Sequence, residues 1–153
     1  MKPVRRMDRY IATHEAIELL ERCEYGTLST VGSDGQPYGI PLSYTINGNC
    51  IYFHCALFGH KLENIEHNPK VSFSVVGNTK VLPDKFATEY ESAIAFGITS
   101  EIHGQERNDA LMWLVEKYSH DFLEEGRKYI DQKDNATRVF KIEISHISGK
   151  ARR

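Results

Sequence analysis

Hydrophobic and polar positions follow two different periods along the chain. Between Thr13 and Cys23, apolar residues recur every three or four positions, which predicts an amphipathic helix with Thr13 as its N-cap. From residue 26 to residue 56, three runs of β-forming residues are separated by the turn sequences GSDGQP and NGN. Because Asn-Gly between two such runs is a strong hairpin signal, this region is predicted to form an antiparallel meander.

The remaining residues continue the alternation of strands and helices. Residues 59–67 predict a short helix that ends before Pro69, since a residue that precedes proline avoids the helical conformation. Strands are predicted over 70–77, 91–104 and 137–148, with a loop over 78–86, and Gly97 indicates a bulge or a close backbone approach. Residues 107–132 predict two helices with a break at Ser119.

These elements favour a mainly β fold with helices, of the α+β class. About six strands joined mostly by tight turns, with helices at the start and near the end, predict a small antiparallel β-barrel. A chain of 153 residues is a natural single domain, so the predicted domain spans 1–153.

Pro41 interrupts the second β-forming run. Proline cannot donate a hydrogen bond to a neighbouring strand, so this position is expected at a sheet edge, at a bulge, or where something other than a strand lies alongside.

Composition and charge exclude several classes of partner. The 19 basic and 21 acidic residues give a formal charge of −2, which provides no net attraction for nucleic acid or an anionic membrane. No run of eighteen apolar residues and no signal-peptide core occurs. The three cysteines form no disulfide framework and favour a reducing compartment. We therefore expect a cytoplasmic protein without nucleic-acid or membrane partners.

The stretch FHCALFGHKLENIEHNPKVSF, residues 53–73, concentrates the candidate chemistry. His54, Cys55, His60 and His67 are possible zinc ligands, but their spacing matches no compact zinc pattern, so we expect no metal site. Adjacent residues on a strand point to opposite faces, so His54 cannot activate Cys55 as a nucleophile.

The same stretch could instead form an anion-binding site at the start of the predicted helix. Gly59-His60-Lys61 lies where a strand ends and a helix begins, and the free N–H groups of a helix start favour a phosphate. Lys61 and a protonated His60 would add charge-assisted hydrogen bonds. The alternative is a solvated loop with a chance lysine, and the residues alone leave both interpretations open.

Four segments resemble a known family along essentially the whole chain. RRMDRYI, GTLSTVGSDGQPYGIPLSY, FHCALFGHKLENIEHNPKVSF and the terminal SGKAR are similar to the FMN-binding split-barrel superfamily of pyridoxamine 5′-phosphate oxidase. Within it, the chain most resembles the branch of 5-nitroimidazole resistance proteins. The resemblance implies a six-stranded antiparallel split β-barrel of the Greek-key type. It also implies a homodimer, with two FMN sites at the interface.

The resemblance also assigns residues to the cofactor site. His60 and Lys61 match a phosphate-binding arginine and lysine, and His54 and Cys55 match a flavin-contacting pair at a strand end. Ser92 matches a glutamine that contacts the flavin from a neighbouring strand. The strand that lies along the flavin ring corresponds to Gly39, Ile40, Pro41, Leu42, Ser43 and Tyr44.

The chain departs from the oxidases at two of these positions. His60 replaces an arginine and loses its bidentate fork and permanent charge, and Tyr44 replaces a lysine. The expected phosphate contact is therefore weaker and more sensitive to pH, since histidine changes charge near neutrality. The arginine-rich C-terminal substrate segment of the oxidases has no counterpart, so pyridoxamine-phosphate oxidase activity is not expected.

The resemblance implies an FMN-dependent oxidoreductase that reduces small aromatic or nitro-substituted compounds with electrons from NAD(P)H or another donor. His54 is then either a proton donor that faces the flavin ring or substrate, or a hydrogen-bonded strand-end residue. One alternative is a haem-handling split barrel that binds haem through His54, His60 or His146. Another is a dimer that keeps the fold without any flavin.

Overall fold

The computed structural model describes residues 1–153, which form nine strands and four α-helices. The strands are β1 (Tyr10–Ile11), β2 (Gly26–Val31), β3 (Pro37–Leu42), β4 (Thr45–Asn47), β5 (Cys50–Cys55), β6 (Lys70–Val76), β7 (Lys80–Leu82), β8 (Ala87–Glu101) and β9 (Arg138–Arg152). The α-helices are α1 (Thr13–Arg22), α2 (His60–His67), α3 (Gly104–Tyr118) and α4 (Leu123–Lys133). Short 3-10 turns follow β7, α3 and α4 and precede β1.

All strand pairs are antiparallel, and the main path through the sheet is β3-β2-β6-β8-β9-β5-β4. The mainly β class with several helices is confirmed, but the structure has nine strands where the sequence predicts six. The predicted second run divides into β3 and β4, and β1 adds a short pair with β9. The predicted loop over 78–86 contains β7, which pairs with an extension of β8.

The predicted meander over 26–56 is wrong in its middle. The β2–β3 and β4–β5 hairpins form, but β3 and β4 lie at opposite ends of the strand path. The chain crosses between them at Ser43 and Tyr44, because the Tyr44 ring is fully buried in the core and its hydroxyl donates to the Leu20 carbonyl. The burial of this side chain pulls the backbone out of the strand.

The predicted irregularity at Gly97 is confirmed as a β-bulge. The β8–β9 register shifts between Phe96 and Gly97, and the extra residue, Ser145, donates its hydroxyl to the Phe96 carbonyl at 3.1 Å. A Cβ at position 97 would lie 2.3 Å from the Glu143 carbonyl oxygen. Glycine is therefore required by close packing of two backbones.

Helices form in the predicted segments, but α3 begins at Gly104, earlier than the predicted residue 107, and the N-cap of α1 differs. Helix α1 begins at Thr13 as predicted, but its N-cap is Ala12, whose N–H donates to the Glu15 carboxylate at 2.9 Å. The predicted break between α3 and α4 at Ser119 is confirmed. Helix α1 packs on β8 and β9 over the main apolar core, and α3 packs on the outer face of β5 and β9. None of the helices is long and apolar enough to cross a membrane.

Candidate functional site

Strand β3 forms one end of the sheet path and pairs only with β2. Gly39 and Pro41 face outward opposite Ser29 and Thr27, whereas the side chains at 40 and 42 pack against the core. The prediction that Pro41 marks a sheet edge is confirmed, because an edge tolerates a missing donor. The outer side of β3 is therefore an open backbone edge.

The turn that opens α2 offers unused hydrogen-bond donors. The N–H groups of Leu62 and Glu63 donate to the Gly59 carbonyl at 3.1 and 3.2 Å, whereas those of His60 and Lys61 have no partner within the chain. A Cβ at Gly59 would meet no atom within 4 Å, so the space in front of this backbone is open. Two free donors at a helix start, beside a lysine and a histidine, favour an anion.

Aromatic stacking joins this turn to the open edge. The Tyr38 and His60 rings stack at a centroid distance of 4.0 Å and an angle of 27°. Tyr38 precedes Gly39 on β3, so the start of α2 lies beside the strand to which the resemblance assigns the flavin ring. The structure therefore brings His60, Lys61 and β3 together.

His54 completes this group from the end of β5. Its partner across the ladder is Val139, so its side chain lies on the outer face of the sheet towards α3. Partial burial, and to a smaller extent the positive charge of Lys61, lower the pKa of His54 below its usual value. This shift favours the neutral imidazole, which offers one donor and one acceptor.

A cavity of about 370 Å³ extends from His54 beneath α3 and α4. Ser43 and His54 line its sheet side, so two of the predicted site residues share one cavity. Most of its remaining surface comes from apolar side chains of the two helices. The cavity is the space next to the open edge that could accept a small molecule.

Two of the predicted site residues, Tyr44 and Cys55, have buried side chains. Tyr44 is fully buried, and burial raises the pKa of its hydroxyl. Cys55 is only 8% exposed in the core, and burial raises the pKa of its thiol. Because the alternation of β5 and the crossing after β3 turn both side chains inward, a flavin contact at these two positions would use backbone atoms, and their assignment to the site stays a prediction.

Ser92 lies apart from the other predicted residues. It is on β8 opposite Val76 and Lys150, and it lines a different cavity, near the N-terminal segment. Within one chain, Ser92 therefore does not join the group around His60.

Sequence reasoning missed Tyr118, which holds the crossing in place. The Tyr44 N–H donates to the Tyr118 hydroxyl at 2.9 Å, and this hydroxyl lies 2.5 Å from the Glu24 carbonyl oxygen and 2.9 Å from that of Tyr44. The sequence shows Tyr118 only as one member of the apolar stripe on α3. A hydroxyl at the end of such a stripe was the available signal, but its partners are distant along the chain.

Lys117 packs next to this hydroxyl. Its ammonium lies 3.8 Å from the centroid of the Tyr44 ring and is buried without a hydrogen-bond partner. Burial lowers the pKa of Lys117 below its usual value. This lysine is therefore a buried cation packed against the ring of the crossing residue Tyr44.

An ion pair supports the loop that leads to α2. Arg138 donates to both oxygens of Glu101 at 2.9 and 3.1 Å and to the Leu57 carbonyl at 3.3 Å. The hydrogen bonds from Arg138 lower the pKa of Glu101 below its usual value. The loop before Gly59 is thus attached to the barrel wall. No cluster of three or more metal-ligating side chains occurs in the chain.

The sequence of the chain matches a known protein family over most of its length. The model of the family described as pyridoxamine 5′-phosphate oxidase matches residues 12–151. None of the curated proteins compared with the chain matches it.

Several solved structures share the fold. A candidate 5-nitroimidazole antibiotic resistance protein from Bacteroides thetaiotaomicron is 20% identical, with a TM-score of 0.80 over 93% of this chain and 86% of that chain. An FAD and heme binding protein from Mycobacterium smegmatis is 20% identical, with a TM-score of 0.79 over 92% and 71%. An FAD-binding protein from Mesorhizobium loti is 22% identical, with a TM-score of 0.68 over 95% and 98%. At such identities the likeness shows the fold, and the ligands are those of the other proteins.

Proposed function

We propose that this chain, which belongs to the pyridoxamine 5′-phosphate oxidase family, binds FMN and reduces small aromatic or nitro-substituted compounds. The family resemblance predicted from the sequence is confirmed. The observation that carries the proposal is the pair of free N–H groups at His60 and Lys61, which lies beside the open edge of β3.

The residues present fit a flavin nucleotide. The free N–H groups and the Lys61 ammonium would hold the phosphate, and the open space at Gly59 would admit it. The outward backbone of Gly39 and Pro41 would lie along the flat ring. The side chains of Tyr44 and Cys55 are not part of this proposed site.

A second copy of the chain would complete the site. The outer face of β6 and β8 exposes Val76, Ile94 and Ile98 by 62%, 40% and 45%. Ser92 lies on the same face, so in a homodimer it could approach the flavin of the partner. Apolar positions grouped on a sheet face favour an interface between copies. The cytoplasm remains the proposed location, in agreement with three unpaired thiols.

FMN would supply two-electron transfer between a reduced nicotinamide nucleotide and the substrate. For a nitro compound, one NAD(P)H and one proton convert the nitro group to a nitroso group, with one N–O bond broken and its oxygen released as water. The neutral imidazole of His54 would orient the ring or substrate and pass a proton at this end of β5. No side chain of the protein changes its redox state.

No specific observation favours the haem alternative. His54 and His146 line different cavities, and His60 is stacked on Tyr38. Purified protein that has been incubated with FMN or with haemin distinguishes the two cofactors by its absorption spectrum. A flavin spectrum that persists through gel filtration supports the proposal, and a Soret band alone contradicts it.

The decisive variant replaces both His60 and Lys61 by alanine. We expect it to fold normally and to retain flavin less well, because the Lys61 ammonium and the His60 imidazole are lost while the two backbone N–H groups remain. The matched control replaces two exposed residues, His67 at the last position of α2 and Lys70 at the first position of β6. Unchanged FMN affinity in the first variant, or equal loss in both, would remove the phosphate assignment.

A further inference from the structure

The cavity beneath α3 and α4 has an apolar wall built by both helices. Leu111, Leu114 and Val115 of α3 face Tyr129 and Ile130 of α4 across it. The leucines are 7% and 6% exposed, so this wall is part of the packed structure. A cavity of about 370 Å³ is more than twice the ~150 Å³ that admits a benzene molecule in a protein core.

Two of the charged side chains that line the cavity pair with each other, and the third, Lys133, has no partner. Arg107 pairs with the Asp134 carboxylate and also donates to the Asp134 and Thr137 carbonyls at 3.0 Å. Asp134 is the only carboxylate in the lining, and Arg107 neutralises it. Lys133 lines the same cavity and makes neither an ion pair nor a hydrogen bond within the chain. The cavity therefore carries one uncompensated positive charge next to an apolar wall.

The position of the cavity connects it to the proposed redox site. Ser43 follows the open edge of β3 directly, and His54 lies on the sheet side of the cavity. A ring held against the α3 leucines would thus share a cavity with Ser43, the residue that follows the strand proposed to carry the flavin. This inference rests on the proposed function for its catalytic meaning, but not for the binding itself.

We propose that this cavity binds the substrate and that the substrate is a small aromatic acid, with its ring against Leu111, Leu114 and Ile130 and its carboxylate on Lys133. The apolar wall selects the ring, and Lys133 selects the negative charge. The bound acid would share the cavity with His54 and Ser43.

The test compares benzoate with benzamide, a neutral molecule of the same shape, in titrations followed by ligand NMR with and without FMN. Benzoate should bind about fivefold more tightly to the unchanged protein, as expected for a partly exposed ion pair. Lys133→Gln should remove this preference and leave benzamide unaffected. Lys128→Gln is the matched control, because Lys128 lies on the same helix and points to solvent.

A turnover assay tests the role of the bound acid. With FMN present, Lys133→Gln should raise KM for 4-nitrobenzoate about fivefold, leave kcat nearly unchanged, and leave KM for 4-nitrobenzyl alcohol unchanged. Equal affinity of the unchanged protein for benzoate and benzamide overturns the inference, and so do equal effects of the two lysine variants. If the unchanged protein does not retain FMN, the proposed function is wrong. Benzoate binding that depends on Lys133 would still support the cavity assignment in that case.

Discussion

Two glycines lie inside strands of the same sheet, and their surroundings differ. Gly97 belongs to β8, which is paired on both sides with β6 and β9 and is called the closed wall here. A Cβ at this position would lie 2.3 Å from the Glu143 carbonyl oxygen. Gly39 belongs to β3 at the open edge, where a Cβ would lie 3.4 Å from Thr27 Cγ2 and 3.6 Å from Ser29 Oγ, which are ordinary contacts. Contacts within the chain require glycine at position 97 but not at position 39.

Contacts within the chain account for the glycine in β8 but not for the glycine and proline in β3. In the closed wall, the bulge at Ser145 lies opposite Gly97, and the absence of a side chain at Gly97 leaves room for the β9 backbone. At the open edge, Gly39 and Pro41 weaken the strand without any gain inside the chain. A flat ligand against that edge would account for both, which supports the proposed cofactor position.

Gly97→Ala should have the largest effect on stability. The new methyl group would collide with the β9 backbone, so the free energy of unfolding should fall by about 1–3 kcal/mol. Urea denaturation followed by circular dichroism measures this change. FMN affinity of the folded fraction should be unchanged, and an unaltered unfolding midpoint would contradict the account of the closed wall.

Tyr118→Phe should have the next largest effect, because it removes the hydroxyl that holds the crossing between the edge and the wall. The Tyr44 N–H would lose its partner, which should lower the free energy of unfolding by about 1 kcal/mol. Tyr129→Phe is the control, since the Tyr129 hydroxyl makes no hydrogen bond within the chain and the residue is 62% exposed. If both variants unfold alike, Tyr118 does not hold the crossing.

Lys117→Met should have a smaller effect that depends on pH. Burial lowers the pKa of Lys117 in the folded state, so the cost of its charge is fully present below that pKa and disappears as pH rises towards the unfolded value of about 10.4. At pH 7 the variant should be more stable by less than about 1 kcal/mol, since the lost contact with the Tyr44 ring offsets part of the gain.

The advantage of Lys117→Met over the unchanged protein should shrink as the pH is raised from 7 towards the unfolded pKa of about 10.4, because only the unchanged protein loses the buried charge. Urea denaturation of both proteins across this range measures the difference. A constant or growing advantage would contradict the assignment of a buried, unfavourable cation under the crossing.

Gly39→Ala should have the smallest effect on stability, within about 0.5 kcal/mol, because the methyl group finds space on the outer face. It should nevertheless weaken FMN retention, since the methyl would project from the outward side of Gly39, against which the ring is proposed to lie. Fluorescence titration with FMN measures this change. Full FMN affinity in Gly39→Ala would contradict the proposal that a bound ligand requires glycine at position 39. The contrast with Gly97, which the chain's own contacts require, would then have no explanation.

Much of the local structure could be predicted from the sequence. The Asn47-Gly48 turn, the end of α2 before Pro69 and the break at Ser119 all appear where local residues predict them. These features depend on neighbouring residues only, so a pattern of a few positions suffices. The missed strands β1 and β7 have two and three residues and form because a distant partner is present.

The sequence predicted some residues of the candidate site and missed others. His60, Lys61 and the edge strand lie together as expected, and His54 faces outward because β5 alternates. Tyr44 was placed wrongly, because a tyrosine that continues an apparent strand gives no sign of crossing into the core. Lys133 could not be singled out, since an unpaired lysine on a helix is ordinary until its neighbours in space are known.

The sequence by itself determined the kind of protein: a small β-rich barrel of a known family, with a helix that opens on Gly59-His60-Lys61. Short-range periodicity, turn chemistry and matching motifs suffice for that. Only the tertiary structure decided that residues 43 and 44 leave the sheet, that Tyr118 holds them, and that α3 and α4 enclose a cavity with one free cation. These features depend on contacts between residues far apart in the chain, and no local pattern encodes such contacts.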